Sequence, residues 1–275
     1  MTPNLLRRLA ALSPPSVRRA AVGAVVDFKS LPARIADPRR RAEPWASIHN
    51  VGGGDFHAVG LQLMGVLQTH AGLVAGDSVL DIGCGAGRLA GPLAPLLASG
   101  GGRYLGFDIH RAGIRSCRRR FGGEPHLRFE HLDVRNPEYN ALGRQSELSA
   151  VFPARDGAID LAFATSVFTH MRLPAVSRYL AECARVLRPG GRLAFTAFAL
   201  SPGREANAAF PFQPFDATSA VLDPRTPERA IGHDRAALED AIAEAGLRLT
   251  QSLDGEWFPP RAYEGGQDLI VAVKP

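Results

Sequence analysis

The run Asp81-Ile-Gly83-Cys84-Gly85-Ala-Gly87-Arg88 sets one carboxylate ahead of three glycines on alternate positions. Val79, Leu80 and Ile82 make the residues before Gly83 an apolar strand, and Leu89, Leu93, Leu96 and Leu97 follow at helical spacing. Glycine serves where the backbone takes a positive φ or must come close to a ligand. The helix N-terminus beyond it offers unbonded N–H groups and partial positive charge. The chemistry is that of cradling a polar or anionic group, such as a carboxylate, against the backbone. Two more acids close apolar runs: Asp108 in Tyr104-Leu-Gly-Phe-Asp-Ile109, and Asp133 in His131-Leu-Asp-Val134. An ionised carboxylate brings two acceptor oxygens and no donor. A further run, Ala164-Thr-Ser-Val-Phe-Thr-His170-Met, carries Thr165, Ser166 and His170 past another apolar stretch. In open α/β sheets ligands sit outside the carboxyl ends of the strands. An imidazole there, with an ordinary pKa of about 6.5, is able to take a proton near neutral pH.

The elements that must position these groups alternate along the chain. Strands are predicted over 78–82, 103–108, 127–132, 159–164 and 191–198, with helices over 87–98, 111–120 and 174–187. This order predicts a parallel sheet covered by helices on both faces. Residues 55–71 form a helix with Asp55 as N-cap. The helix from 174 carries Val176, Tyr179, Leu180, Cys183, Val186 and Leu187 at i, i+3, i+4, i+7 spacing and stops at Arg188-Pro-Gly-Gly191. Asn136 to Pro153 lacks helical pattern. Residues 200–233 are rich in proline and polar residues and are expected to be a loop-rich cap over the active-site end. A helix over 234–245 and two strands, near 247–252 and at 268–273, complete a domain expected to span 45–275.

Residues 1–44 form a separate basic extension, with nine Arg or Lys against Asp27, Asp37 and Glu43. Helical patterns fall at Leu5–Leu12 and Val17–Phe28. Leu5, Leu6, Leu9 and Leu12 make an apolar stripe beside Arg7 and Arg8, the pattern of a packing helix or of one that touches an anionic membrane weakly. The net charge of +5 is carried almost wholly by arginine, Lys29 and Lys274 being the only lysines. With abundant Ala, Gly and Pro this reads as compositional bias, so a nucleic-acid partner is not expected. Cys84, Cys117 and Cys183 stand alone, without disulfide or zinc spacing. No apolar stretch is long enough to span a bilayer, and no signal-peptide pattern opens the chain. A cytoplasmic protein is expected, with a place at the inner membrane face as the extension's further implication.

The pattern D-x-G-x-G-x-G resembles motif I of class I S-adenosylmethionine-dependent methyltransferases. The dinucleotide fingerprint G-x-G-x-x-G would need glycine where Arg88 stands. Arg185-Val-Leu-Arg-Pro-Gly-Gly191 resembles the family's turn into its fifth strand, and Gln267 to Lys274 its final strand, so the resemblance covers about residues 50–275. It implies a Rossmann-like seven-stranded sheet, mostly parallel with an antiparallel C-terminal strand, and S-adenosyl-L-methionine as methyl donor. By the same resemblance Asp81, Gly83, Cys84, Gly85, Gly87 and Arg88 hold the methionine end. Asp108, beside Ile109, accepts both ribose hydroxyls. Asp133 accepts from the adenine amine while the Val134 N–H reaches a ring nitrogen. Thr165 and Ser166 lie near the sulfonium. Ser166 to Met171 resembles a bacterial subgroup acting on glycans, lipids and natural products, which implies a small-molecule, glycan or lipid acceptor. A hydroxyl acceptor would use His170 as general base, ahead of His131, Tyr139 and His233. No metal is required. Two alternatives stay open: a catalytically inactive cofactor-binding module, and an NAD-dependent oxidoreductase, whose ribose an acid such as Asp108 would hold equally well.

Overall fold

The computed structural model describes residues 15–49, 54–137, 139–204 and 207–275; the Leu5–Leu12 pattern lies outside them. Helix α1 (Pro15–Ala36) continues through Pro32 beyond the predicted Phe28, and α2 (Pro38–Ala42) follows. Helix α3 (Phe56–Ala71) starts where expected. The Asp55 carboxylate accepts from the N–H groups of His57 and Ala58, and Gly72 ends the helix in the left-handed conformation.

A seven-stranded sheet forms the centre. Its strands are β1 (Ser78–Ile82), β2 (Arg103–Asp108), β3 (Leu127–His131), β4 (Ile159–Ala164), β5 (Leu187–Ala197), β10 (Arg248–Leu253) and β11 (Asp268–Val273). Their order is β10-β11-β5-β4-β1-β2-β3. β1 to β5 run parallel, and β11 inserts antiparallel to both β5 and β10. The chain winds outward from β1 through β2 to β3, then returns to place β4 on the other side of β1. That reversal opens a crevice at the carboxyl ends of β1 and β4.

Alternation along each strand feeds two apolar layers. Leu80, Ile82, Ala162, Phe195 and Ile270 pack with α6 (Leu173–Val186) and α7 (Arg235–Glu244). Val79, Leu161, Phe163, Ala194 and Val271 pack with α3, α4 (Ala90–Gly100) and α5 (Arg111–Arg120). Two elements start three residues or more from where the sequence reading put them. α4 begins at Ala90 rather than 87, because the turn before it holds Gly85 and Gly87 at φ 56° and 76°. β5 begins at Leu187 rather than 191, because Leu187 pairs with Ile159 before a bulge carries Arg188 to Gly191 out of register.

Residues 200–233, read as a loop-rich cap, hold most of a second sheet. Its strands are β6 (Ala199–Leu200), β7 (Gln213–Asp216), β8 (Ser219–Val221) and β9 (Ile231–Asp234), in the order β6-β9-β8-β7. Strands of two to four residues are too short to show a period. Their apolar partners are Phe198 and Phe212, immediately ahead of β6 and β7, and Trp257 from beyond β10. The buried Asp268 carboxylate ties the two sheets together. It accepts from the N–H groups of Ala199 and Gly255, each at 2.9 Å, and from Arg204 at 3.1 Å. Removing it leaves two buried N–H groups without an acceptor and takes from Arg204 one of its two carboxylate partners, the other being Asp254. Asp268→Ala should therefore destabilise the fold by about 3 kcal/mol, lowering the melting temperature by roughly 6–12 °C. Thermal unfolding by circular dichroism checks this, and an unchanged melt would remove Asp268 from that role.

Candidate active site

The crevice holds a cavity of about 940 Å³, counting its open mouth. Gly83 and Gly85 enter its wall from the turn after β1, Asp108 and Ile109 from the end of β2, and Val134 from beyond β3. Thr165, Ser166 and His170 enter from beyond β4. Eight of the thirteen candidate residues are thus brought together.

Gly83 sits at φ 74°, and a Cβ there would lie 2.5 Å from Val167 Cγ2, so the turns after β1 and β4 touch through it. A Cβ on Gly85 would meet nothing within 4 Å, so the wall at that point is bare backbone facing space. Asp108 clamps this turn: Oδ2 accepts from the Gly85 N–H at 2.7 Å and Oδ1 from the His110 N–H at 2.6 Å. Each oxygen can accept a further bond. Ser166 sits at φ 54°, the one non-glycine residue with positive φ among those described. Its N–H donates to Thr196 Oγ1 at 2.8 Å, and the Ser166 and Thr196 hydroxyls both donate to Gln267 Oε1, at 3.1 and 2.6 Å.

His170 closes a short 3₁₀ turn, Phe168–His170. Its Nδ1–H donates to the Glu228 carbonyl at 2.7 Å, which makes Nε2 the basic nitrogen of the neutral ring. The Tyr139 ring meets the imidazole edge-on at 5.7 Å. Both rings line the cavity. His170 also borders an adjoining hollow with Arg135, Arg172, Glu147 and Glu228. His131 and His233 line neither. The first bonds to the Ile109 carbonyl, and the second is buried against that of Phe168, burial driving its pKa down.

The other five candidates do not line the cavity. Asp81 points to the β2 side, where its buried carboxylate accepts from the Tyr104 hydroxyl at 2.6 Å. Cys84 is buried, and burial followed by the neighbouring Cys117 pushes its thiol pKa well up. Gly87 packs on α5, where a Cβ would lie 3.0 Å from Cys117 Sγ. The Arg88 guanidinium donates to His49 Nε2 at 2.6 Å. Burial, then Arg88 and Arg120, hold the His49 pKa down at about 4, so it is a neutral acceptor. The Asp133 carboxylate accepts from Arg144 at 2.8 Å and from Asn140 at 3.4 Å; the Arg144 bond holds its pKa below the usual range.

Sequence reasoning missed Ile48 and His49 ahead of α3, Asn136 and Glu147 between β3 and β4, and Tyr179 on α6. The Glu147 carboxyl is pushed up by burial and then by Glu228, with Arg172 opposing. None carries a spacing that marks it. Among the described residues no group of three or more His, Cys, Asp or Glu could hold a metal ion.

Burial raises the Asp81 pKa to about 7, the Tyr104 bond opposing and the Asp108 charge adding. A free aspartate titrates near about 4. Between those values the folded chain holds a proton that the unfolded chain has lost, so stability falls as pH rises from 4 to 7 and levels off above. Asp81→Asn keeps an acceptor for Tyr104 and should remove this slope, melting above the parent protein at pH 8. Melting curves from pH 4 to 8 test it; parallel curves would mean that Asp81 is ionised throughout.

Residues 80–195 match the family described as "Methyltransferase domain". Among curated proteins, phthiotriol/phenolphthiotriol dimycocerosates methyltransferase 1 of Mycobacterium ulcerans is 36% identical over 128 residues, 46% of this chain and 40% of that one. A ubiquinone biosynthesis O-methyltransferase of Acinetobacter baylyi is 28% identical over 174 residues, 62% and 64% of the two chains. With an uncharacterized 37.1 kDa protein in transposon TN4556 of Streptomyces fradiae, of which 29% is matched, the chain spans between 29% and 64% of these relatives' lengths. Among solved structures, geranyl diphosphate C-methyltransferase from Streptomyces coelicolor superposes with a TM-score of 0.55 at 16% identity, over 78% of this chain and 75% of that one. A SAM-dependent methyltransferase from Aquifex aeolicus gives 0.52 at 16% identity, over 80% and 94%. The sheet order and the glycine turn after β1 accord with this match, and residues 80–195 form a methyltransferase domain.

Proposed function

We propose that the protein transfers a methyl group from S-adenosylmethionine to a hydroxyl oxygen of a small-molecule, glycan or lipid acceptor. The observation that carries this reading is the Asp108 clamp on a bare-backbone turn at the sheet's crevice. The residues fit the cofactor. Space in front of Gly85 admits the methionine end of the cofactor close to the backbone of the turn. The second lone pairs of Asp108 suit a vicinal diol, and Ile109 and Val134 offer apolar walls to a flat base. When bound, the cofactor supplies an electrophilic methyl on a sulfonium whose departure leaves a neutral thioether. The acceptor class draws on the two relatives, one acting on phthiotriol-type substrates and one an O-methyltransferase of ubiquinone biosynthesis.

The chain's own work is then alignment and one proton transfer. Alignment of two reactants in one cavity is worth on the order of 7–11 kcal/mol. His170 Nε2 accepts the acceptor's hydroxyl proton, and the Glu228 carbonyl, already bonded to Nδ1–H, steadies the imidazolium that forms. Thr165 and Ser166 set the floor on which the reacting atoms meet.

Asp108→Ala should weaken S-adenosylmethionine binding by about 1.5–3 kcal/mol, and Gly85→Val should abolish it by filling the turn. Titration calorimetry reads both; unaltered affinity in two folded variants would falsify the cofactor assignment. With a reacting acceptor in hand, from a screen for S-adenosylhomocysteine release, His170→Ala should lower kcat by about 10²–10⁴ while cofactor affinity holds. Full turnover in that variant would assign His170 to structure, and no turnover with any acceptor would favour a binding module.

A further inference from the structure

Helix α1 packs with the opposite face from the one its composition suggests. Gly23, Asp27, Ser30 and Arg34 recur at i, i+4, i+7 and i+11 and face the protein. Gly23 lies against the Ser47 backbone, with no room for a Cβ. The Asp27 carboxylate accepts from the N–H groups of Ala46, at 2.5 Å, and Ser47, at 3.1 Å. Arg34 donates to the Glu43 carbonyl at 2.5 Å and stacks over Trp45 at 4.1 Å. The polar face is therefore the docked one. The outward face carries Val22, Val25, Val26, Phe28 and Ile35, exposed by 67, 56, 48, 75 and 70%. Five large apolar residues on one helix make a contiguous patch of the kind that marks an interaction surface.

We propose that this face of α1 docks the protein on an anionic lipid bilayer. Charge decides the occupant. Lys29 lies exposed on the same face, in register with Val22 and Val25. The helix's only acid, Asp27, is turned inward. Nine basic and three acidic residues give the extension a charge of +6, against +5 for the whole chain, so the remainder stands at −1. A second copy of the chain would bring two such basic extensions together, whereas anionic headgroups complement them. The patch is a convex helix flank, which suits insertion at a headgroup boundary. No described helix is long and apolar enough to cross a membrane. Lys29 can lay its stem on the apolar surface and keep its charge among the headgroups.

The test is co-sedimentation of the full chain with vesicles of phosphatidylcholine alone and of phosphatidylcholine with phosphatidylglycerol, at low and high salt. The expected result is binding to the anionic vesicles only. The double variant Val25→Asp, Phe28→Asp should bind at least tenfold more weakly while its melting curve and S-adenosylmethionine affinity stay as in the parent. Absence of binding to anionic vesicles at low salt overturns the proposal, as does binding that the double variant leaves intact. Light scattering supplies the remaining outcome: a dimer that the same variant dissociates would assign the face to a second copy and overturn the lipid reading.

Discussion

Asp108 Oδ2 accepts the Gly85 N–H and Oδ1 accepts the His110 N–H, so one carboxylate joins the turn after β1 to the chain leaving β2. That turn has no regular structure of its own. Gly83, Gly85 and Gly87 hold φ of 74°, 56° and 76°, and the Phe107 carbonyl, accepting from Gly83 and Cys84, adds to its anchoring in the sheet. Charge-assisted bonds are the stronger kind, and here one fixes a backbone that glycine leaves unusually free. The constraint then passes across the crevice. Gly83 touches Val167, so the turn after β4 is set by the turn after β1. Ser166 keeps its left-handed backbone because Thr196 and Gln267 hold it. Gln267 immediately precedes β11, which makes the antiparallel C-terminal strand part of the site's support.

The same constraint explains which parts of the site were legible. A strand ending in an acid, followed by glycines and then a helical pattern, declares a turn, and β1, β2 and β4 fall on their predicted bounds. The pattern does not by itself say which side of the turn each residue takes. Parity does: Asp81 shares a strand face with Val79, which packs away from the crevice, while Ile82 lines it. Asp81 accordingly bonds Tyr104 and not the cavity. Asp133 is diverted by Arg144, a partner eleven residues on that no local pattern links to it. Ile48, Glu147 and Tyr179 reach the wall through tertiary packing alone, so no period or motif could mark them.

The second sheet was invisible for a different reason. Its strands hold two to four residues, below the length at which alternation can be told from chance, and its core is an aromatic cluster gathered around Phe198 and Trp257. Its consequence for the site is local: the turn before β9 supplies the Glu228 carbonyl that orients His170. A proline-rich stretch read as loop thus contributes the group that selects the imidazole tautomer.

Residues 42–49 connect the extension to the cavity, and two arginines hold them there. Arg120 on α5 donates through Nε to the Ala42 carbonyl and through Nη1 to the Ala86 carbonyl, so one guanidinium bonds both this segment and the glycine turn. Arg88 leaves that turn to meet His49, which burial keeps neutral and able to accept. Phe56 lies under both guanidinium groups and edge-on to His49. By the motif I resemblance Arg88 was expected to hold the methionine end of the cofactor. Its place against His49 gives it another role, that of closing the wall. The extension is therefore built into the site: α1 docks on residues 43–47 through its polar face, and the next two residues, Ile48 and His49, are cavity wall. The Asp27 bond to the Ser47 N–H thus stands one residue away from the cavity wall at Ile48.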